Sequence, residues 1–179
     1  MDTISTGTLF RKGEARGGMT RAERHSVDFI VDGVSLFQTL DAGKFDMCGR
    51  FSSETADWNH ESARTFLLQR ASDDGLDAGR VMLFVCPECG DLACGAITCR
   101  IRKDGDTYVW ESFAYENGYD PEMTDFASFS HIGPFRFEAG EYRKAIGDAE
   151  SAEPCAAPNG GPATRLDNSG VTEGPPSVS

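Results

Sequence analysis

The alternation of apolar and polar positions is clearest between residues 81 and 119, VMLFVCPECGDLACGAITCRIRKDGDTYVWESFAYENGY. Residues 81–85 form a continuous apolar run of strand length, set off by the polar, glycine-bearing SDDGLDAG before it. Residues 96–103 alternate, with Ile97, Cys99 and Ile101 on one side and Ala96, Thr98 and Arg100 on the other. Residues 107–115, TYVWESFAY, are rich in β-branched and aromatic side chains, as strands are. Asp104-Gly105 between these runs is a favoured pair for a two-residue turn in which both positions take a positive φ. A loop placed there predicts a hairpin in which Lys103 faces Asp106, Ile101 faces Tyr108 and Cys99 faces Trp110. Cys99 is then buried against the indole.

The rest of the chain patterns more weakly. Residues 27–31, VDFIV, read as a strand, and Ser35 as the N-cap of a short helix through Leu36, Phe37 and Leu40 that ends at Gly43. Residues 45–51 fit no single element; within them Cys48 reads as a small buried hydrophobe. Asn59 is placed to cap a helix over residues 61–71, where Ala63, Phe66, Leu67 and Ala71 share one face and predict core packing. Turn signals follow the hairpin at Asn117-Gly118 and Asp120-Pro121. Residues 133–137 read as a short edge strand with proline near its start, and residues 138–146 as a small helix. Residues 1–25 are polar and glycine-bearing and read as a disordered N-terminal segment. From 147 to 179 the chain shifts to Pro, Gly, Ser, Ala and Asn and reads as a disordered tail carrying Cys155 as a free thiol. The expected fold is a single α+β domain over residues 26–146. Its antiparallel sheet is built on a central β-hairpin, about 81–115, with two or three short helices.

Composition narrows the partners. Seventeen basic against 29 acidic residues give a net charge of −12. Nucleic acid and anionic membrane surfaces are therefore excluded as partners unless a local basic patch exists, and the sequence shows none. The spread of acids reads as a solvated surface; the functional alternative is a small acidic immunity-type protein that masks a basic surface on a protein partner. No run approaches the roughly 20 apolar residues of a membrane span. The first 26 residues hold no apolar core of signal-peptide length. The expectation is a cytoplasmic protein whose thiols stay reduced, so that clustered cysteines hold metal or remain free.

The cysteines carry the candidate chemistry. Cys86, Cys89, Cys94 and Cys99 stand at C-x2-C-x4-C-x4-C, the spacing of a zinc knuckle with Cys in the place usually held by His, and CPECG has the form of a zinc-ribbon turn. The strand argues against four ligands. Cys99 stands five positions after Cys94, so on an unbroken strand they point to opposite faces, roughly 16 Å apart at roughly 3.3 Å per residue. Two sulfurs so placed cannot both lie about 2.3 Å from one zinc, and Cys99 is better assigned to the core. That leaves Cys86, Cys89 and Cys94 as the candidate metal ligands, with Gly90 and Gly95 allowing tight turns. A fourth donor would come from Cys48, His60, His131 or a carboxylate.

Two other readings stay open: a tight β-connection with free thiols, and a thiol oxidoreductase using Cys86-Pro-Glu-Cys89. Thioredoxin-type motifs open a helix that activates the first thiol, whereas here glycine and then another strand follow. Sulfurs that converge together with an outside donor would mark metal; convergence with no outside donor and no bound metal would favour the redox pair. The acids Glu116, Asp120, Glu122 and Asp125 do not match EF-hand spacing. No nucleophile elbow, phosphate loop or dinucleotide fingerprint is present, so no enzyme class is assigned.

The run CPECGDLACGAITCRI, followed by WESFAYENGY, GPFRFE and EYRKAI, resembles a family of small uncharacterised proteins from high-GC bacteria, over about residues 27–146. The resemblance is most specific at residues 86–95. It implies a shared fold and lends no activity. It also implies that a GD-x-x-CG core, here Asp91, Cys94 and Gly95, is more constant than a four-cysteine set. The functional expectation is a cytoplasmic binding or interaction protein with a protein partner, its cysteine loop either a plain structural connection or the seat of a structural zinc.

Overall fold

The computed structural model describes residues 1–54, 56–73 and 75–152. The chain begins with β1 (Ile4–Arg11), β2 (Glu14–Arg16), β3 (Met19–Arg21), β4 (Arg24–Val31) and β5 (Val34–Ser35). Then come α1 (Leu36–Thr39), β6 (Cys48–Gly49) and α2 (Ala56–Phe66). β7 (Arg80–Val85), β8 (Ala96–Asp104), β9 (Thr107–Glu116), β10 (Phe135–Glu138) and α3 (Ala139–Glu150) follow. A five-stranded sheet runs in the order β10-β9-β8-β7-β6 and a three-stranded sheet in the order β1-β4-β5, with β2 and β3 as a separate exposed arm. All pairings are antiparallel, so the fold is α+β.

The central hairpin forms with a corrected register. Its two-residue loop is Gly105-Asp106 rather than Asp104-Gly105, and Gly105 supplies the positive φ of 59°. Asp104 therefore faces Thr107, Lys103 faces Tyr108 and Ile101 faces Trp110. Cys99 is fully buried, as expected, but does not face Trp110: it sits where the register shifts, opposite Ser112 and Phe113. Ser112 takes a φ of 53° there. This extra residue in β9 rotates Phe113 into the core, where strict alternation after Trp110 would have placed Ser112.

The main core lies between this sheet, β4 and the two longer helices. Phe29 of β4, Phe66 of α2, Phe137 of β10 and Tyr142 of α3 surround the Trp110 indole at centroid distances of 5.1–6.0 Å, each edge to face or nearly so. The buried polar tips are satisfied. Trp110 Nε1 donates to the Tyr142 hydroxyl at 3.1 Å, and that hydroxyl donates to the Phe66 carbonyl at 3.0 Å. A smaller cluster of Cys48, Met82, Val85, Leu92 and Ala96 packs apart from the main core.

Three more expectations are corrected. Residues 1–25 are not disordered: β1 pairs with β4 over eight residues, from Ile4 opposite Val31 to Arg11 opposite Arg24. Only Ile4 of β1 is buried, so the strand carries no apolar signal; the backbone ladder and polar anchors such as Asp32, which accepts from the Thr3 N–H at 2.8 Å, hold it. The second helix begins at Ala56, with Asn59 inside it and not capping it, and it ends at Phe66. Asn59 is buried because its amide pairs with the Ser52 backbone, accepting at 3.0 Å and donating at 2.8 Å. Finally, α3 continues past residue 147 to Glu150 with Ala149 buried. The remainder of the proposed tail, including Cys155, lies outside the described residues.

Tyr142→Phe is expected to destabilise the protein by about 2–3 kcal/mol, because it leaves a buried indole N–H and a buried carbonyl without their partner. Urea unfolding measures this, and a loss below about 0.5 kcal/mol would show that the hydrogen-bonded chain is not a determinant of stability.

Candidate metal centre

The cysteine loop is two turns in succession. Cys86 follows the last residue of β7, and the Gly90 N–H closes the first turn on the Cys86 carbonyl at 2.9 Å. Gly90 takes a φ of 66°, which lets the chain reverse directly after Cys89. The Asp91 side chain then accepts from the Ala93 N–H at 2.9 Å and starts a single 3-10 turn over Leu92–Cys94. Gly95 takes a φ of 93° and a Cβ there would run into the Tyr115 ring and hydroxyl, so glycine lets Cys94 return to the strand here. These turns bring the sulfurs of Cys86, Cys89 and Cys94 within 4.8 Å of one another, close enough to hold one metal ion. Cys86 is half-buried, Cys89 and Cys94 are exposed, and all three are free thiols.

The surroundings favour sulfur as an acceptor. At Cys86 burial works to raise the thiol, but the backbone N–H groups of Glu88 and Cys89 and the thiols of Cys89 and Cys94 point at its sulfur and outweigh it. The net position lies below the ordinary cysteine range. Cys89 is pushed up to about 12, first by burial and then by its thiol contacts with Cys94 and Cys86, although the Asp91 N–H opposes this. Without metal, the proton on Cys89 thus stays while negative character gathers on Cys86. A metal cation would take the place of the shared protons.

Three arginines fix the loop from outside. Arg24 Nε donates to the Pro87 carbonyl at 2.8 Å, and Arg50 Nη1 to the Gly90 carbonyl at 3.0 Å. The Glu88 carboxylate accepts from Arg11 Nη1 at 3.0 Å and from the Ala22 N–H at 3.1 Å. Arg11 is itself held by Asp46, with Nη2 to Oδ2 at 2.8 Å. Arg50 also donates to Ser62 Oγ at 3.0 Å and lies over the Trp58 ring at 5.6 Å. Sequence reasoning missed these residues. Arg11 and Arg24 fall in the segment read as disordered, Arg50 in a stretch without a pattern, and an arginine that hydrogen-bonds a carbonyl leaves no local sequence signal.

None of the proposed fourth donors joins the three sulfurs, although Cys48 lines the cavity beside Cys86 and Cys89. Cys48 pairs with Val85 across the β6–β7 ladder and is buried in the smaller cluster, where burial pushes its thiol up to about 11. His60 contacts Glu150 at 2.7 Å across α2 and α3. His131 lines a different cavity with Asp41 and Phe45. Among the described residues no histidine or carboxylate joins the three sulfurs. No helix among them is long and apolar enough to cross a membrane. No family model, curated protein or solved structure matches the chain.

Proposed function

We propose that the protein is a cytoplasmic binding or interaction protein whose cysteine loop holds one structural zinc on Cys86, Cys89 and Cys94. The mutual approach of the three sulfurs within 4.8 Å carries this reading. Thiolates about 2.3 Å from a tetrahedral zinc stand about 3.8 Å apart, so a small contraction completes the geometry. Backbone N–H groups already aimed at sulfur give the thiolates the outer-shell support that metal ligands need. The surface beside the loop offers a contact for a partner: Trp58 is 53% exposed and packs over Gly90 under the Arg50 guanidinium.

One observation favours a second reading, a thiol oxidoreductase on Cys86 and Cys89: no outside donor among the described residues joins the convergent sulfurs. Against it, three sulfurs converge where a redox pair needs two. A single 3-10 turn also follows Cys89, so no α-helix N-terminus activates Cys86.

Protein purified without chelator is expected to carry about one zinc per chain by metal analysis, and Cys94→Ser to lower both zinc content and stability, since binding at such a site is part of folding. Metal-free protein in which Cys94→Ser costs only about 1 kcal/mol would instead make the loop a plain β-connection.

Alkylation mapped by mass spectrometry gives an independent check. In reduced, metal-free protein Cys86, Cys89 and Cys94 should label in the native state, with Cys48 and Cys99 labelling only after unfolding. Zinc should protect the first three. Labelling of Cys94 that zinc leaves unchanged removes it from the ligand set.

A further inference from the structure

Three cysteines leave one position of a four-coordinate zinc to be filled, an arrangement that elsewhere admits a ligand from solution. Cys86 and Cys89 line a cavity of about 240 Å³ whose walls also include Cys48, Arg24, Arg50 and Trp58. A single water needs only about 10–15 Å³ by this measure, and pockets for drug-sized molecules start at about 300 Å³, so the space suits a ligand of several heavy atoms.

The two arginines differ. Arg50 is committed to Gly90 and Ser62 and faces Asp73 at 3.7 Å. Arg24 gives Nε to the Pro87 carbonyl and Nη1 to the Glu23 carbonyl, while its Nη2 donates to no acceptor among the described residues. Glu54 and Glu88, the latter also on the cavity wall, lie near enough to feel its charge, but neither forms an ion pair with it. A half-buried guanidinium held in place by carbonyls, with one edge uncommitted, is suited to bind a carboxylate.

We infer that this cavity binds a small thiol bearing a carboxylate, with the thiolate as the fourth ligand of the metal and the carboxylate on Arg24. The inference rests on the zinc reading above. Sulfur is the donor that a zinc already held by three thiolates accepts most readily. Such a centre carries one net negative charge; the bound thiolate and carboxylate add two more, and the guanidinium offsets the carboxylate's. Binding is ligand exchange without electron transfer: the thiol gives its proton to solvent as the sulfur–metal bond forms, and any water on the metal leaves.

The test uses the full chain loaded with Co²⁺ in place of zinc and titrated with 3-mercaptopropionate. Saturable growth of the sulfur-to-cobalt charge-transfer absorption by about one third is expected as three thiolates become four, with cobalt still on the chain after desalting. 2-Mercaptoethanol, which lacks the carboxylate, should need on the order of tenfold more for the same change. Arg24→Gln should abolish that difference when the response is taken per cobalt bound, since the same arginine also holds the loop at the Pro87 carbonyl. If Arg24→Gln fails to fold, the comparison of the two thiols on the unaltered chain decides alone.

An unchanged spectrum, equal response to both thiols, or removal of cobalt by the thiol overturns the inference and leaves the zinc site standing. So does a drop in the ligand-free absorption in Cys48→Ser, which would make Cys48 the fourth ligand. A chain that binds no cobalt overturns both readings.

Discussion

The indole N–H of Trp110 has nowhere to go but the Tyr142 hydroxyl, and that hydroxyl has the Phe66 carbonyl. This short chain of buried hydrogen bonds joins the central strand β9 to α3 and α2 at the point where four aromatic rings meet. It lets the two bulkiest polar-tipped side chains of the core be fully buried without an orphaned donor. Both helices are thereby fixed in position against the sheet. That matters for the cysteine loop, because Trp58 and Ser62, which support Arg50 and Gly90, stand on α2.

Charge, more than apolar contact, docks the three-stranded sheet onto that loop. Arg11 and Arg24, at the ends of β1 and β4, reach across to Glu88 and to the Pro87 carbonyl. Asp46 anchors Arg11 from the other side and holds it charged well beyond the ordinary arginine range, chiefly through their hydrogen bond. Arg21 lies against the same carboxylate. In a chain of net charge −12, gathering arginines at one loop concentrates positive potential where thiolates are brought together. The loop's position is therefore a property of the N-terminal strands as much as of its own turns.

How far the sequence was legible follows from which signals are local. The strands of the hairpin were, because alternation and β-branched content are written in consecutive residues. Its register was misplaced, yet the inward faces survived: moving a two-residue loop by one position shifts the pairing by two, and a shift of two leaves every side chain on its own face. The bulge at Ser112 was not legible, since nothing in YVWESFAY marks which residue takes a positive φ. The cysteine triad was readable in outcome but not for the reason argued: no strand runs from Cys94 to Cys99, since Cys94 sits on a 3-10 turn and β8 starts at Ala96, yet Cys99 is in the core as expected. The N-terminal sheet was hidden for the opposite reason. β1 buries one residue fully, and its stability comes from a ladder with β4 and from long-range anchors. Such contacts belong to no window of the sequence.

The loop between β7 and β8 has one fully apolar anchor, Leu92, which packs with Met82, Val85 and Ala96 between the second and third cysteines of the triad. Burying one leucine is worth about 1.5–3 kcal/mol, whereas ordering each residue of a loop costs about 1–2 kcal/mol. A loop in which Cys89 and Cys94 remain exposed cannot be held by that burial alone. The arginine bonds to Pro87 and Gly90 fix its first half, as far as Gly90. Its second half has no arginine clamp: the Asp91 cap, Leu92, the Gly118 N–H on the Leu92 carbonyl at 2.9 Å and the close seat of Gly95 against Tyr115 hold it. Cys94 belongs to that second half and Cys86 and Cys89 to the clamped one. Under the proposed zinc reading, an ion at these three sulfurs would join two turns that the protein holds by different contacts, arginine side chains for the first and backbone bonds with Leu92 for the second.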